Sequence, residues 1–302
     1  MTGFHHTTVL LEQVVDTIAP ADGEVYVDCT LGGGGHAAAL LARANCTVIG
    51  LDRDPAAITA ASAALSPHGE RFVAVRASFS ELGRVLDQLG RARVDGIVAD
   101  LGVSSPQLDQ AERGFSFRAA GPIDMRMDPE QALSAAEVVN QWDESALADA
   151  IHQFGEERAA RRVARRIVEG RPWTDTAALG AAIARVVGGG GRTHPATRTF
   201  QALRIVVNDE LGELDRLLPL TLDRLVSGGR LAILTFHSLE DRRVKQFLDH
   251  AAGKGRPRDP FGNPIGPVHV RVLPDLAPGD DDPNPRARSA RLRRAVRLPW
   301  NA

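Results

Sequence analysis

Residues 25–36 read VYVDCTLGGGGH, an apolar, β-branched run that closes on an acid and opens onto four consecutive glycines. Bounded by Ala21-Asp22-Gly23 before it and the glycine turn after it, this run predicts a buried strand. AAALLARA (37–44) follows with helix formers and no breaker. The rhythm then repeats. TVIGLD (47–52) reads as a second strand, and PAAITAASAAL (55–65) as a helix with proline in its first turn, where the missing N–H costs nothing. RFVAVRAS (71–78) and DGIVADLG (95–102) read as a third and a fourth strand. Strands alternating with helices predict βαβ units and a parallel sheet covered on both faces.

After Gly102 the rhythm stops. From Pro106 to about Ile205 the pattern is helical: AAEVVNQW (135–142), ESALADAIHQF (144–154), ERAARRVARRIVEG (157–170) and TDTAALGAAIARVV (174–187), the last with Thr174 as expected N-cap and the glycines at 188–191 as terminator. Ala160, Val163, Ala164 and Ile167 follow the spacing of a buried helical stripe. Residues 200–225 read as helix, broken near Pro219, and GGRLAILTFH (228–237) restores the buried-strand signature. VHVRVL (268–273) and ARLRRAVRL (290–298) alternate like edge strands. The expected fold class is α/β, a Rossmann-like sheet with an inserted all-helical domain: 1–105, then 106–205, then 206–302.

Composition narrows the function. Thirty-six Lys+Arg against 38 Asp+Glu give a formal net charge of −2, which excludes a wholesale polybasic nucleic-acid coat but not a local patch. Two cysteines, Cys29 and Cys46, cannot make a disulfide framework or a four-thiolate zinc site, and they suit a reducing compartment. No stretch approaches the ~20 apolar residues of a membrane helix. The first 18 residues lack the pattern of a signal peptide. A cytoplasmic protein with no membrane and no metal site is expected. Nothing decides oligomeric state, and a homodimer stays open.

In open α/β sheets ligands bind outside the carboxyl ends of the strands, so the glycine turn after Asp28 marks a candidate cofactor site. Gly32, Gly34 and Ala37 also fit G-x-G-x-x-A, a weak match to the dinucleotide fingerprint. Asp52, ending the second strand, is placed to accept both hydroxyls of an adenosine ribose, and Asp54 reads as a first-turn helix acid. Phe79, after the third strand, offers a stacking face beside an adenine, or is a core aromatic. An acid before the turn suits a ligand carrying an ammonium and a sulfonium, and it would repel a pyrophosphate. Asp100 and ADLGVSSPQLD (99–109) leave the fourth strand where a reacting group belongs. S-adenosylmethionine is favoured. A nicotinamide-dependent oxidoreductase and a non-catalytic ribosome-assembly factor are the rivals.

The motifs HTTVLLEQVV, DCTLGGGGH, LDRDPAAI, DGIVADLGVSSPQLDQAERGFSFRAAGPIDMRMD, GEERAARRVARRIVEGR, HPATRTFQALRIVVNDEL, GGRLAILTFHSLEDRRVKQF and NPRARSARLR span nearly the whole chain. In this order they resemble the MraW-type ribosomal RNA small subunit methyltransferase H family. The resemblance implies S-adenosylmethionine-dependent methylation of N4 of one cytidine in 16S rRNA of the small (30S) subunit, near the decoding site. By motif it implies cofactor contacts at Gly34, Gly35, His36, Asp52, Phe79, Asp100 and Gln107. TLGGGGH departs from relatives that carry a basic or polar residue among the glycines, and 252–282 is the poorest match.

Methylating an exocyclic amine needs no covalent nucleophile, only an amine held in line with the sulfonium methyl. A carbon-5 methyltransferase would need a cysteine thiolate, and neither Cys29 nor Cys46 sits in a Pro-Cys type loop. Asp100 with Ser104, Ser105 and Pro106 is expected to orient the amine. His237 and Glu240, at the end of the fifth strand with Asp241, either help position the base and take a proton or form a helix cap. Expected RNA contacts are Arg158, Arg161, Arg162, Arg165 and Arg166 on one helix, the alternative being a solvated helix face paired with Glu156, Glu157 and Glu169. Arg192, His194, Arg198 and Arg204 follow, then Arg286, Arg288, Arg291, Arg293, Arg294 and Arg297 of a tail without local acids.

Overall fold

The computed structural model describes residues 8–188, 193–262, 264–279 and 287–300. Arg192, Arg286 and the glycines at 189–191 lie outside the described residues. The chain divides into two units, 1–102 with 212–302, and 103–211. The sequence pattern places these borders at 105/106 and 205/206. The difference arises because the Ser105–Asp109 helix belongs to the second unit and the helix starting at Glu210 straddles the return.

The first unit runs α1 (Leu11–Ile18), β1 (Val25–Asp28), α2 (Gly35–Arg43), β2 (Thr47–Asp52), α3 (Pro55–Leu65), β3 (Phe72–Arg76), α4 (Leu82–Gln88) and β4 (Val94–Asp100). The second carries α5 (Ser105–Asp109), α6 (Ala135–Gln141), α7 (Glu144–Gly155), α8 (Ala160–Glu169), α9 (Thr176–Val187) and α10 (Thr197–Asn208). The chain returns through α11 (Glu210–Arg224) to β5 (Leu225–Thr235), α12 (Ser238–Ala251), β6 (Val270–Leu276) and β7 (Arg291–Arg297).

The seven strands lie in the order β3-β2-β1-β4-β5-β7-β6. β1 to β5 are parallel, and β7 runs antiparallel between β5 and β6. The fold is therefore a Rossmann-like α/β sheet, but its far edge departs from the all-parallel 3-2-1-4-5-6 order of dinucleotide-binding domains. β7 was expected at an edge. It is interior, with Leu292 and Ala295 buried.

Strand alternation assigns side chains to the two sheet faces. Val27, Ile49, Leu51, Ile97, Ala99, Leu231 and Ile233 join a core with Leu82, Leu86, Leu214, Leu217, Val244 and Leu248. On the opposite face, Tyr26, Val48, Val98, Ala232 and Leu234 pack with Val14, Ile18, Leu40, Leu41 and Leu65. Among the described residues the second unit is helical, around Met125, Val138, Leu147, Ile151, Val163, Ile167, Leu179 and Leu203.

Two local expectations are corrected. α9 is capped by Asp175, which accepts from the Ala178 N–H, rather than by Thr174. The helix expected over 200–225 breaks at Asp209, in the left-handed region at φ 47°, while Pro219 lies inside α11.

Candidate active site

Sheet topology places the site. β1, β2 and β3 run outward on one side and β4 and β5 on the other, so the chain reverses between β1 and β4. A crevice at the carboxyl ends of strands forms at such a point. Asp28, Asp52 and Asp100 are the last residues of β1, β2 and β4, and therefore border it together.

The glycine turn is built by backbone bonds that the apolar strands enforce. The Cys29 N–H donates to Val98 O, Leu31 N–H to Leu51 O and Gly34 N–H to Leu31 O, at 2.8, 2.8 and 2.7 Å. Gly34 has φ +83°, and a Cβ there would meet Leu65 Cδ1 at 3.0 Å; at Gly35 it would meet Thr8 Oγ1 at 2.2 Å. Both positions therefore require the absent side chain.

Each acid is held differently. Asp52 accepts the Gly32 N–H on Oδ2 and the Asp54 N–H on Oδ1, both at 2.9 Å. A carboxylate has about four lone-pair sites, so each oxygen retains one for a hydroxyl. Asp54 caps α3 by accepting from the Ala56 N–H. Asp28 is buried and accepts the Thr30 N–H on Oδ1. Its Oδ2, like Asp100 Oδ1, is buried with no hydrogen-bond partner among the described residues. Burial raises all three carboxyls, Asp28 to about 7 and Asp100 to about 8, with repulsion from Asp52 acting on Asp28 and from Asp28 and Glu240 on Asp100. Such acids in a crevice ask for a cationic partner.

Thr30 ties these pieces together, since its hydroxyl also accepts the Asp100 N–H at 2.6 Å. The sequence reading passed it over, although a hydroxyl residue two positions after the strand-ending acid was a usable signal. Also passed over was Arg53, whose guanidinium donates to Ser78 Oγ at 2.7 Å and lies 3.4 Å from Glu213. His36, buried in the first turn of α2, has Nδ1 3.9 Å from Asp100 Oδ2. Phe79 is half-buried against the sheet core.

His237 and Glu240 make a capping box at the start of α12. His237 Nδ1 accepts the Glu240 N–H at 3.4 Å, and Glu240 Oε2 accepts the Phe236 and His237 N–H groups at 2.9 and 3.3 Å. Of the two roles open to the pair, the cap is the one these bonds make. Asp241 is held by Arg293 through bonds of 2.8 and 2.9 Å.

In the second unit Ser104 Oγ accepts the Gln107 N–H and Gln107 Oε1 accepts the Ser104 N–H, closing a capping box on α5; Ser105 and Gln107 are buried. Arg158, just before α8, and Arg161, Arg162 and Arg165 within it are exposed, with Arg165 3.5 Å from Glu144. Glu157, expected to pair with this row, is buried and accepts the Ala159 N–H instead. Arg198 is exposed and donates to Glu156 O, and Arg204 is bidentate to Glu210.

The tail arginines are not without acids, as their sequence neighbourhood suggested. Folding brings Asp275 to Arg291 at 2.8 Å and Asp241 to Arg293. Arg294 donates to Pro274 O, and buried Arg297 to Leu222 O and His269 O. Arg288 stays exposed.

Both thiols are buried, and burial pushes each up, away from the thiolate. Among the described residues no helix is long and apolar enough to cross a membrane.

The chain is similar to proteins of known name. "Ribosomal RNA small subunit methyltransferase H" of Synechococcus elongatus is 49% identical over 301 residues, covering 98% of this chain and 96% of that protein. The protein of the same name from Hyphomonas neptunium is 49% identical over 304 residues, covering 97% and 88%. Among solved structures, an rRNA methylase from Streptococcus thermophilus aligns at TM-score 0.46 and 12% identity, covering 97% of this chain and 99% of that one. The profile described as the MraW methylase family matches residues 3–298, and the chain belongs to that family.

Proposed function

We propose that this protein methylates the N4 amine of a cytidine in 16S rRNA of the small ribosomal subunit, near the decoding site. The coarser statement follows from the family: the chain is an S-adenosylmethionine-dependent rRNA methyltransferase. The observation that carries the reading is the meeting of Asp28, Asp52 and Asp100 with a glycine turn at the reversal of the sheet.

The residues fit the cofactor. Asp52 has free lone pairs for the two ribose hydroxyls, and the unpartnered oxygens of Asp28 and Asp100 match a ligand that bears positive charge. Gly34 and Gly35 let the backbone approach it, with His36, Phe79 and Gln107 as further contacts. When bound, S-adenosylmethionine supplies an electrophilic methyl on a sulfonium.

The protein's own work is then orientation. Asp100 Oδ1 accepts an N–H of the amine and directs the nitrogen lone pair, a positioning effect that needs no covalent intermediate. Ser104 and Ser105 are proposed as further acceptors for the amine. His237 and Glu240 hold the end of β5 in place through the α12 cap. The buried thiols favour a nitrogen target, because attack on ring carbon requires a thiolate.

The base must leave its stack to reach such a pocket. Arg158, Arg162, Arg165, Arg166, Arg198 and Arg288 are the proposed phosphate contacts, Arg286 being a sequence-level candidate only. Arg291, Arg293 and Arg294 would first have to part from the partners just described. The reading has the enzyme act in the cytoplasm on 16S rRNA of the small subunit.

Asp100→Ala is expected to abolish methyl transfer to small subunits while S-adenosylhomocysteine still binds in calorimetry. Near-normal turnover of that variant would sink the assignment of Asp100.

A further inference from the structure

Among the described residues the large apolar side chains left exposed are Leu89, Phe261, Ile265 and Trp300, and Phe261 stands apart at 90%. Phe261 and Ile265 share one short hairpin. The Ile265 N–H donates to Pro257 O at 2.8 Å, and Arg258 bridges Pro264 in antiparallel fashion. Asp259 organises the turn: its carboxylate accepts the Phe261 N–H and its carbonyl the Gly262 N–H, both at 2.9 Å. The base is anchored by the His269 N–H on Ala251 O at the end of α12, and by Arg256 donating to Pro267 O. The backbone that carries the ring is thus built, while the ring itself touches water.

Exposing a phenyl ring forgoes burial that nothing within the hairpin returns. Its charge points to the partner. Residues 253–271 hold Lys254, Arg256, Arg258 and Arg271 against the single acid Asp259, in a chain of net charge −2. Lys254 pairs with Asp249, but Arg256 and Arg258 bond to carbonyls, which among the described residues leaves their positive charge without an acidic partner. An exposed aromatic on a segment rich in guanidinium groups suits an unpaired base that stacks while its phosphates are held.

We propose that the hairpin formed by residues 257–262 with 264 and 265 is an RNA-docking element, with Phe261 stacking on an unpaired nucleotide of the substrate rRNA. The inference rests on the rRNA reading above and adds to it a contact in the chain's poorest-matching segment. Phe261 takes no part in the reaction; it adds affinity for the substrate particle.

The test uses the full chain and unmethylated small subunits, with two readouts: co-sedimentation, and the steady-state KM and kcat for methyl transfer. Phe261→Ala is expected to weaken subunit binding and raise KM roughly tenfold, with kcat and S-adenosylhomocysteine affinity unchanged, because stacking is worth about 1–3 kcal/mol per base. Phe261→Trp is expected to restore both. A Phe261→Ala variant with KM and binding within about twofold of the parent overturns the proposal. So does an unchanged KM combined with loss of sedimentation on phosphatidylglycerol vesicles, which would make the hairpin a membrane contact. If the parent binds subunits but transfers no methyl, the rRNA-methylation reading fails, and the binding comparison still decides the hairpin.

Discussion

Asp28 and Asp100 are carboxyls whose folded environment favours the proton. Their values, about 7 and about 8, lie above the ~4 of an unfolded aspartate. The sign follows from linkage: their contribution to stability is complete below about pH 4 and is lost as pH rises through 7 and 8. Asp28→Asn is therefore expected to lose less melting temperature than the parent between pH 5 and pH 8 in cofactor-free protein, by differential scanning calorimetry. A positively charged ligand selects the ionised forms, so affinity for S-adenosylmethionine should rise across the same interval in the parent and less so in Asp28→Asn. A flat affinity profile would mean that neither acid meets the cation. The three acids were legible in the sequence because each ends an apolar run. Thr30 and Arg53 were not, since their value lies in bonds to Asp100 and Ser78 that arise only when strands pair.

Secondary-structure elements show where local reading ended. β1 to β5 announce themselves by apolar runs and turns, but β7 does not reveal that it inserts between β5 and β6, because pairing is non-local. The break between α10 and α11 falls at Asp209, whose short polar side chain tolerates the left-handed region, whereas Pro219 forgoes one backbone hydrogen bond inside α11. The α12 cap gives a direct test of the role of Glu240. Glu240→Ala strips acceptors from the Phe236 and His237 N–H groups and should cost about 1–2 kcal/mol in urea unfolding. Glu240→Gln keeps an acceptor and should retain stability and kcat within a few-fold. A kcat collapse in the glutamine variant at full stability would instead make the charge itself part of the chemistry. In the glycine turn, Gly34→Ala must adopt φ +83° against Leu65 and should weaken cofactor binding.

For the whole molecule, net charge −2 conceals how the cations are deployed. The α8 row stands exposed, whereas Arg293 is spent on Asp241 and Arg297 on backbone carbonyls. Sequence neighbourhood could not tell these apart, because Asp241 and Asp275 reach the tail only through the fold. The two sets should part in experiment. Arg162→Gln is expected to reduce the slope of log affinity for subunits against log salt by about 1, at unchanged melting temperature. Arg293→Gln should instead lower stability by leaving Asp241 without its bidentate partner. An Arg162 variant with an unaltered slope would remove α8 from the RNA face.

The most direct test of the central claim is transfer of labelled methyl from S-adenosylmethionine to unmethylated small subunits and to naked 16S rRNA, with digested nucleosides identified by mass spectrometry. N4-methylcytidine is the predicted product in subunits. A different methylated nucleoside, or no label in either RNA despite measurable cofactor binding, would contradict the account.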